Sequence, residues 1–118
     1  MVTIRTETII RGERAAYLAR PADAQAGVLL LPSVHGIDQY SKAYAHVLAE
    51  AGLAALIWEP FPGQPPADTR EQRAARLAPL TDATSLREMA WWLDLMVGEL
   101  SLTKIGTAGF CLGGRYGL

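Results

Sequence analysis

The residues best suited to chemistry stand together near the end of the sequence, in Thr107-Ala108-Gly109-Phe110-Cys111-Leu112-Gly113-Gly114-Arg115. Cys111 is the single cysteine of the 118 residues, with glycines two positions before it and two and three after it. A thiol placed on a sharp strand-to-helix turn is a nucleophile. Such a turn needs small residues two before and two after it, because strand and helix pass close together, and Gly109 and Gly113 meet that need. A helix starting after Cys111 would set its N-terminal dipole beside the sulfur and favour thiolate over thiol. The backbone N–H of Leu112 would point at the same spot, as one donor to a developing oxyanion. The competing reading is a buried structural cysteine among glycines that only permit packing. A dinucleotide-binding loop fits poorly, since the spacing is Gly109, Gly113, Gly114 rather than G-x-G-x-x-G.

The elements that must position Cys111 are legible upstream. Thr3 to Ile10, then Arg14 to Ala19 after Gly12, carry β-branched residues in rough alternation and read as a β-hairpin or two edge strands. Gly27 to Leu31 is a continuous apolar run closed by Pro32, as in a strand buried on both faces. A loop from Ser33 to Tyr40 leads to Ser41, an expected N-cap. The following helix is expected to bury Tyr44, Val47, Leu48 and Ala51 and to end at Gly52. Leu53 to Trp58 reads as a second buried strand, and Glu59 to Asp68, with four prolines and a glycine, as a loop long enough to be functional, a rigid surface loop being the alternative. A short helix is expected over Arg70 to Leu77. A longer one spans Thr84 to Glu99, with Leu86, Met89, Ala90, Leu93, Met96 and Val97 on its apolar stripe and Ser85 with Glu88 as a capping box. Ile105 to Phe110 is the third core strand, and it runs straight into the cysteine turn. Strands alternating with helices imply βαβ units, an α/β fold and a mostly parallel sheet.

Composition narrows the function classes. Half of the residues are hydrophobic and 19% are charged, enough for one packed domain over residues 1–118. A net charge of -1 gives no reason to expect nucleic acid or an anionic membrane as partner. No signal-peptide pattern opens the chain, and no apolar run reaches the ~20 residues of a membrane helix. One cysteine forms no internal disulfide, which fits a reducing compartment, so a cytoplasmic protein is expected. Two histidines and one cysteine give no metal-ligand spacing.

"GFCLGGR" after "TKIGTA", with an upstream strand ending "LLLPSVHGID", resembles the dienelactone hydrolase family of α/β-hydrolases. The resemblance runs through nearly the whole chain, and its specificity comes mainly from the cysteine turn. It implies an α/β-hydrolase-like sheet with flanking helices, residues 1–118 being the N-terminal portion of that domain and stopping just after the nucleophile elbow. It also implies a Cys-His-Asp triad that hydrolyses small lactones or esters without metal or organic cofactor. Cys111 matches the nucleophile and Leu112 one oxyanion donor. Aligned on Gly36-Ile37-Asp38, the second donor is Val34; a His-Gly reading of that loop would shift it to Ile37, and Val34 is preferred. Ser33, His35 and Phe61 are candidate pocket residues.

Two departures from the family pattern stand out. Ser33 falls where many members have a glutamate that helps control cysteine ionisation. No Asp or His follows Cys111, so the triad acid and base are expected beyond Leu118, in a longer parent protein. Two other functions are carried alongside: a non-catalytic binding or assembly module, and a redox-reactive thiol protein. His46 is expected to be solvated, Arg70, Arg73 and Arg76 to form a solvated helix face, and Trp91 and Trp92 to pack the helix.

Overall fold

Gly12-Glu13 is a two-residue turn that folds β1 (Ile4–Arg11) back on β2 (Arg14–Pro21), with Arg11 opposite Arg14 and Ile4 opposite Pro21. In this computed structural model, residues 3–31, 36–60, 69–77 and 82–109 are described. The remaining elements are β3 (Ala26–Leu31), α1 (Gln39–Glu50), β4 (Ala54–Trp58), α2 (Arg70–Leu77), α3 (Asp82–Gly98) and β5 (Lys104–Gly109). Each strand and helix expected from the sequence is present, with ends moved by at most three residues, the largest shift being the start of α1. The five strands form one mixed sheet in the order β1-β2-β4-β3-β5. β4, β3 and β5 run parallel, while β2 is antiparallel to β4 and β1 to β2.

The buried strands divide their side chains between two faces, as a period of two requires. Leu29, Leu31, Leu56 and Trp58 meet α3, whose Met89, Trp92, Leu95 and Met96 complete that half of the core. Leu30, Ala55 and Ile57 join Ala19 beneath Ala45 and Ala49 of α1 on the other face. Gly27 of β3 is closely surrounded. A Cβ there would lie 2.6 Å from Leu102 Cδ1 and 2.8 Å from the Ala54 carbonyl oxygen, so only glycine fits. The starts of β3 and β5 are tied by Thr103, whose N–H and hydroxyl both donate to the Gln25 carbonyl, at 2.8 and 3.1 Å.

Several side chains depart from the expected arrangement. The N-cap of α1 is Asp38, not Ser41: Ser41 N–H donates to Asp38 Oδ1 at 2.9 Å, and Asp38 N–H donates back to Ser41 Oγ at 3.0 Å. The buried face of α1 is Ser41, Ala45 and Ala49, while Tyr44 and Val47 are exposed. His46 is half-buried, with its Nε2 2.7 Å from the Tyr17 hydroxyl, rather than solvated. In α3 the stripe is rotated: Ser85, Met89, Trp92 and Met96 are buried, whereas Leu86 and Val97 face solvent. Ser85 therefore lies inside the helix and forms no capping box with Glu88, which pairs with Arg14 instead. Trp91 and Trp92 do pack, edge to face at 4.9 Å, with Trp92 fully buried.

Candidate active site

Three parallel strands end on the same edge of the sheet: β3 at Leu31, β4 at Trp58 and β5 at Gly109. That edge, outside the carboxyl ends of parallel strands, is where α/β sheets bind ligands. β3 and β5 are direct neighbours, and their register sets Leu31 opposite Gly109. The segment holding Ser33, Val34 and His35 and the segment holding Cys111 and Leu112 thus leave from facing ends of paired strands. These five residues and Phe61 lie outside the described residues. What the structure brings together is their supports.

The return limb of the first segment is well defined. Gly36 is buried and holds φ +72, a left-handed conformation that favours glycine. Ile37 N–H donates to Glu59 Oε2 at 3.4 Å, and Asp38 then starts α1 with its reciprocal cap. Glu59, the first residue past β4, is itself fixed by its N–H, which donates to the Ala15 carbonyl at 2.8 Å. In the sequence Glu59 stands only as the opening residue of a proline-rich loop. An acidic residue immediately after a fully buried strand was the available signal, but its partner lies 22 positions away.

On the α3 face of the same edge, a cleft of about 430 Å³ opens between the β1–β2 turn, the end of β4 and α3. Arg14, Trp58, Glu59, Ser85, Glu88 and Trp92 are among its walls. Arg14 donates to both Glu88 oxygens, at 2.9 and 3.3 Å, and lies 4.4 Å above the Trp91 ring, so its cation is neutralised and stacked. Ser85 Oγ and Trp92 Nε1 are buried without a hydrogen-bond partner among the described residues. At the rim, Arg11 donates to Glu99 at 2.6 Å. That hydrogen bond holds the Glu99 carboxyl below, and the Arg11 guanidinium above, its ordinary value.

Among the described residues, no three His, Cys, Asp or Glu side chains come together as a metal-ligand group. Nor is any described helix long and apolar enough to cross a membrane.

Residues 14–118 match the model of the dienelactone hydrolase family. The chain belongs to that family. A probable 2-oxo-3-(5-oxofuran-2-ylidene)propanoate lactonase from Bradyrhizobium sp is 31% identical over 111 residues, 89% of this chain and 45% of the relative. Carboxymethylenebutenolidase 2 of Cupriavidus pinatubonensis is 33% identical over 92 residues, 75% of this chain and 37% of the relative. The chain thus spans about two-fifths to a half of the relatives it matches.

Among solved structures, a dienelactone hydrolase-like promiscuous phosphotriesterase from metagenomic libraries superposes with a TM-score of 0.75 at 22% identity, over 98% of this chain and 52% of that one. A putative dienelactone hydrolase from Klebsiella pneumoniae gives 0.73 at 22% identity, over 98% and 54%. These two likenesses establish the fold, and it is the α/β-hydrolase architecture of the dienelactone hydrolases.

Proposed function

We propose that this member of the dienelactone hydrolase family hydrolyses small esters or lactones with Cys111 as nucleophile. The observation that carries the reading is the β3–β5 register, Leu31 opposite Gly109. It launches the G-x-C-x-G-G segment and the Ser33–His35 segment from adjacent strand ends, as a nucleophile and its oxyanion loop require. The Cys111 thiolate attacks the carbonyl carbon and a C–S bond forms while the C=O π pair moves onto oxygen. Leu112 and Val34 N–H groups receive that oxyanion. Ile37 N–H is directed at Glu59, which favours Val34 over Ile37 as the second donor. The oxyanion collapses, the C–O bond to the alkoxide breaks, and a protonated base supplies the leaving group with its proton. Water, deprotonated by the same base, then cleaves the thioester and returns the thiolate.

That base and its carboxylate partner are assigned to a histidine–aspartate pair outside residues 1–118, in keeping with the share of the relatives that the chain spans. Residues 1–118 alone are expected to show no triad-type turnover. Ser33, His35 and Phe61 are assigned to the pocket. The names of the relatives point to lactones carrying a carboxylate, and such a lactone is the substrate class proposed here. The reaction needs no metal or organic cofactor.

The test is hydrolysis of p-nitrophenyl acetate and of a carboxymethylenebutenolide by the full-length natural polypeptide. Cys111→Ala is expected to lower both rates by at least about 10³-fold, the scale of losing a covalent nucleophile. Equal rates for wild type and Cys111→Ala would sink the assignment.

A further inference from the structure

Glu59 has no part in the chemistry described above, yet its contacts converge on the loop that chemistry needs. Its backbone is pinned to β2 through Ala15. Its carboxylate accepts the Ile37 N–H at 3.4 Å and lies against Gly36, where a Cβ would come within 2.8 Å of Oε1 and 3.1 Å of Oε2. Gly36 thus satisfies two demands at once, a left-handed backbone and room for the carboxylate. One residue further on, Asp38 and Ser41 lock the start of α1 by their reciprocal hydrogen bonds. The loop after β3 is therefore held at both ends: Leu31 in the sheet ladder, and residues 36–38 between Glu59 and the helix cap. Only residues 32–35 lie between these anchors.

We propose that Glu59 is a positioning residue for the loop after β3: by holding Gly36 and Ile37, it sets the return limb of the segment to which the second oxyanion donor is assigned. The proposal rests on the reading of Cys111 as nucleophile and Val34 as donor. Glu59 touches no reacting atom. Its effect passes through the loop, and a donor displaced by a fraction of an ångström stabilises an oxyanion poorly. Because the required feature is an acceptor for the Ile37 N–H, a glutamine amide oxygen replaces the carboxylate and an alanine does not.

The experiment compares wild type, Cys111→Ala, Glu59→Gln and Glu59→Ala in the full-length natural polypeptide. It measures kcat and KM with p-nitrophenyl acetate and amide hydrogen exchange at Ile37. Glu59→Ala is expected to lower kcat on the order of 10- to 100-fold while KM changes less than about threefold. It should also speed Ile37 exchange, and Glu59→Gln should restore most of both. If Glu59→Ala does not fold, Glu59→Met takes its place, since it keeps the stem and removes the acceptor. Unchanged kcat in the acceptor-less variant, equal losses in Glu59→Gln and Glu59→Ala, or slow Ile37 exchange retained without the acceptor would each overturn the proposal. If Cys111→Ala hydrolyses the ester as fast as wild type, the nucleophile reading falls instead, and Ile37 exchange alone decides whether Glu59 holds the loop.

Discussion

Trp92 shows how a side chain can be necessary for its volume and costly for its polar atom. It is fully buried between α3 and the sheet, while its indole N–H has no hydrogen-bond acceptor among the described residues. Burying an orphan donor costs about 1–3 kcal/mol, and that cost disappears with a ring that has no N–H. Trp92→Phe is therefore expected to change unfolding free energy by less than about 1 kcal/mol, the lost ring volume being offset by removal of the donor. Trp92→Ala leaves the cavity without that offset in packing and should lose about 3–5 kcal/mol. Urea denaturation of the three proteins checks this; equal losses for Phe and Ala would mean that the indole N–H is satisfied. At this scale the sequence was informative where chemistry depends on neighbours. The expectation of a turn at Cys111 rests on its flanking glycines, a constraint that is local. The contacts of Glu59 are not legible in sequence because Ile37, Gly36 and Ala15 are brought to it only by the fold.

Elements were easier to locate than to orient. Rough alternation of β-branched residues marks β1 and β2, while a continuous apolar run marks β3, because a strand buried on both faces admits little else. The helices were placed correctly, but α1 was turned toward the wrong side. Hydrophobicity alone favours burying Tyr44 and Val47, yet the sheet presents Ala19 and Ala55 to this helix, and close approach selects Ala45 and Ala49. Large residues on α1 face outward because the small ones let the backbone come near. Ala45→Leu is accordingly expected to destabilise the protein by about 1–3 kcal/mol through overpacking. Val47→Ser, at a position 60% exposed, should stay within about 0.5 kcal/mol. The expected face predicts the reverse order, so thermal unfolding of the two variants distinguishes the arrangements. The same reasoning explains α3, where the space beside Leu29, Leu31 and Leu56 is filled by Met89, Trp92 and Met96.

Across the whole molecule, the ends of β1 and β2 beside their turn are joined to α3 and to the residue just after it by ion pairs that bridge distant parts of the sequence, Arg14–Glu88 and Arg11–Glu99. They differ in setting. Arg14 is part-buried, bidentate and stacked on Trp91, so salt should affect it little. Arg11–Glu99 is open to solvent at the rim of the cleft and depends on ionisation of Glu99. The hydrogen bond from Arg11 lowers the Glu99 pKa in the folded state; desolvation opposes it, and the charge attraction of the guanidinium adds a smaller lowering. A depressed carboxyl pKa means that the folded state binds its proton less readily than the unfolded chain does. Its contribution to stability is then fully present above the unfolded glutamate value of ~4.3 and is lost as pH falls through the folded value. Arg11 stays protonated throughout this range, so Glu99 alone sets the window. Glu99→Gln is expected to melt below wild type near neutral pH, with the gap closing as pH falls past the carboxylate range and narrowing in high salt at neutral pH. A gap that persists at acid pH would show that the contact acts through packing of the two stems rather than through charge.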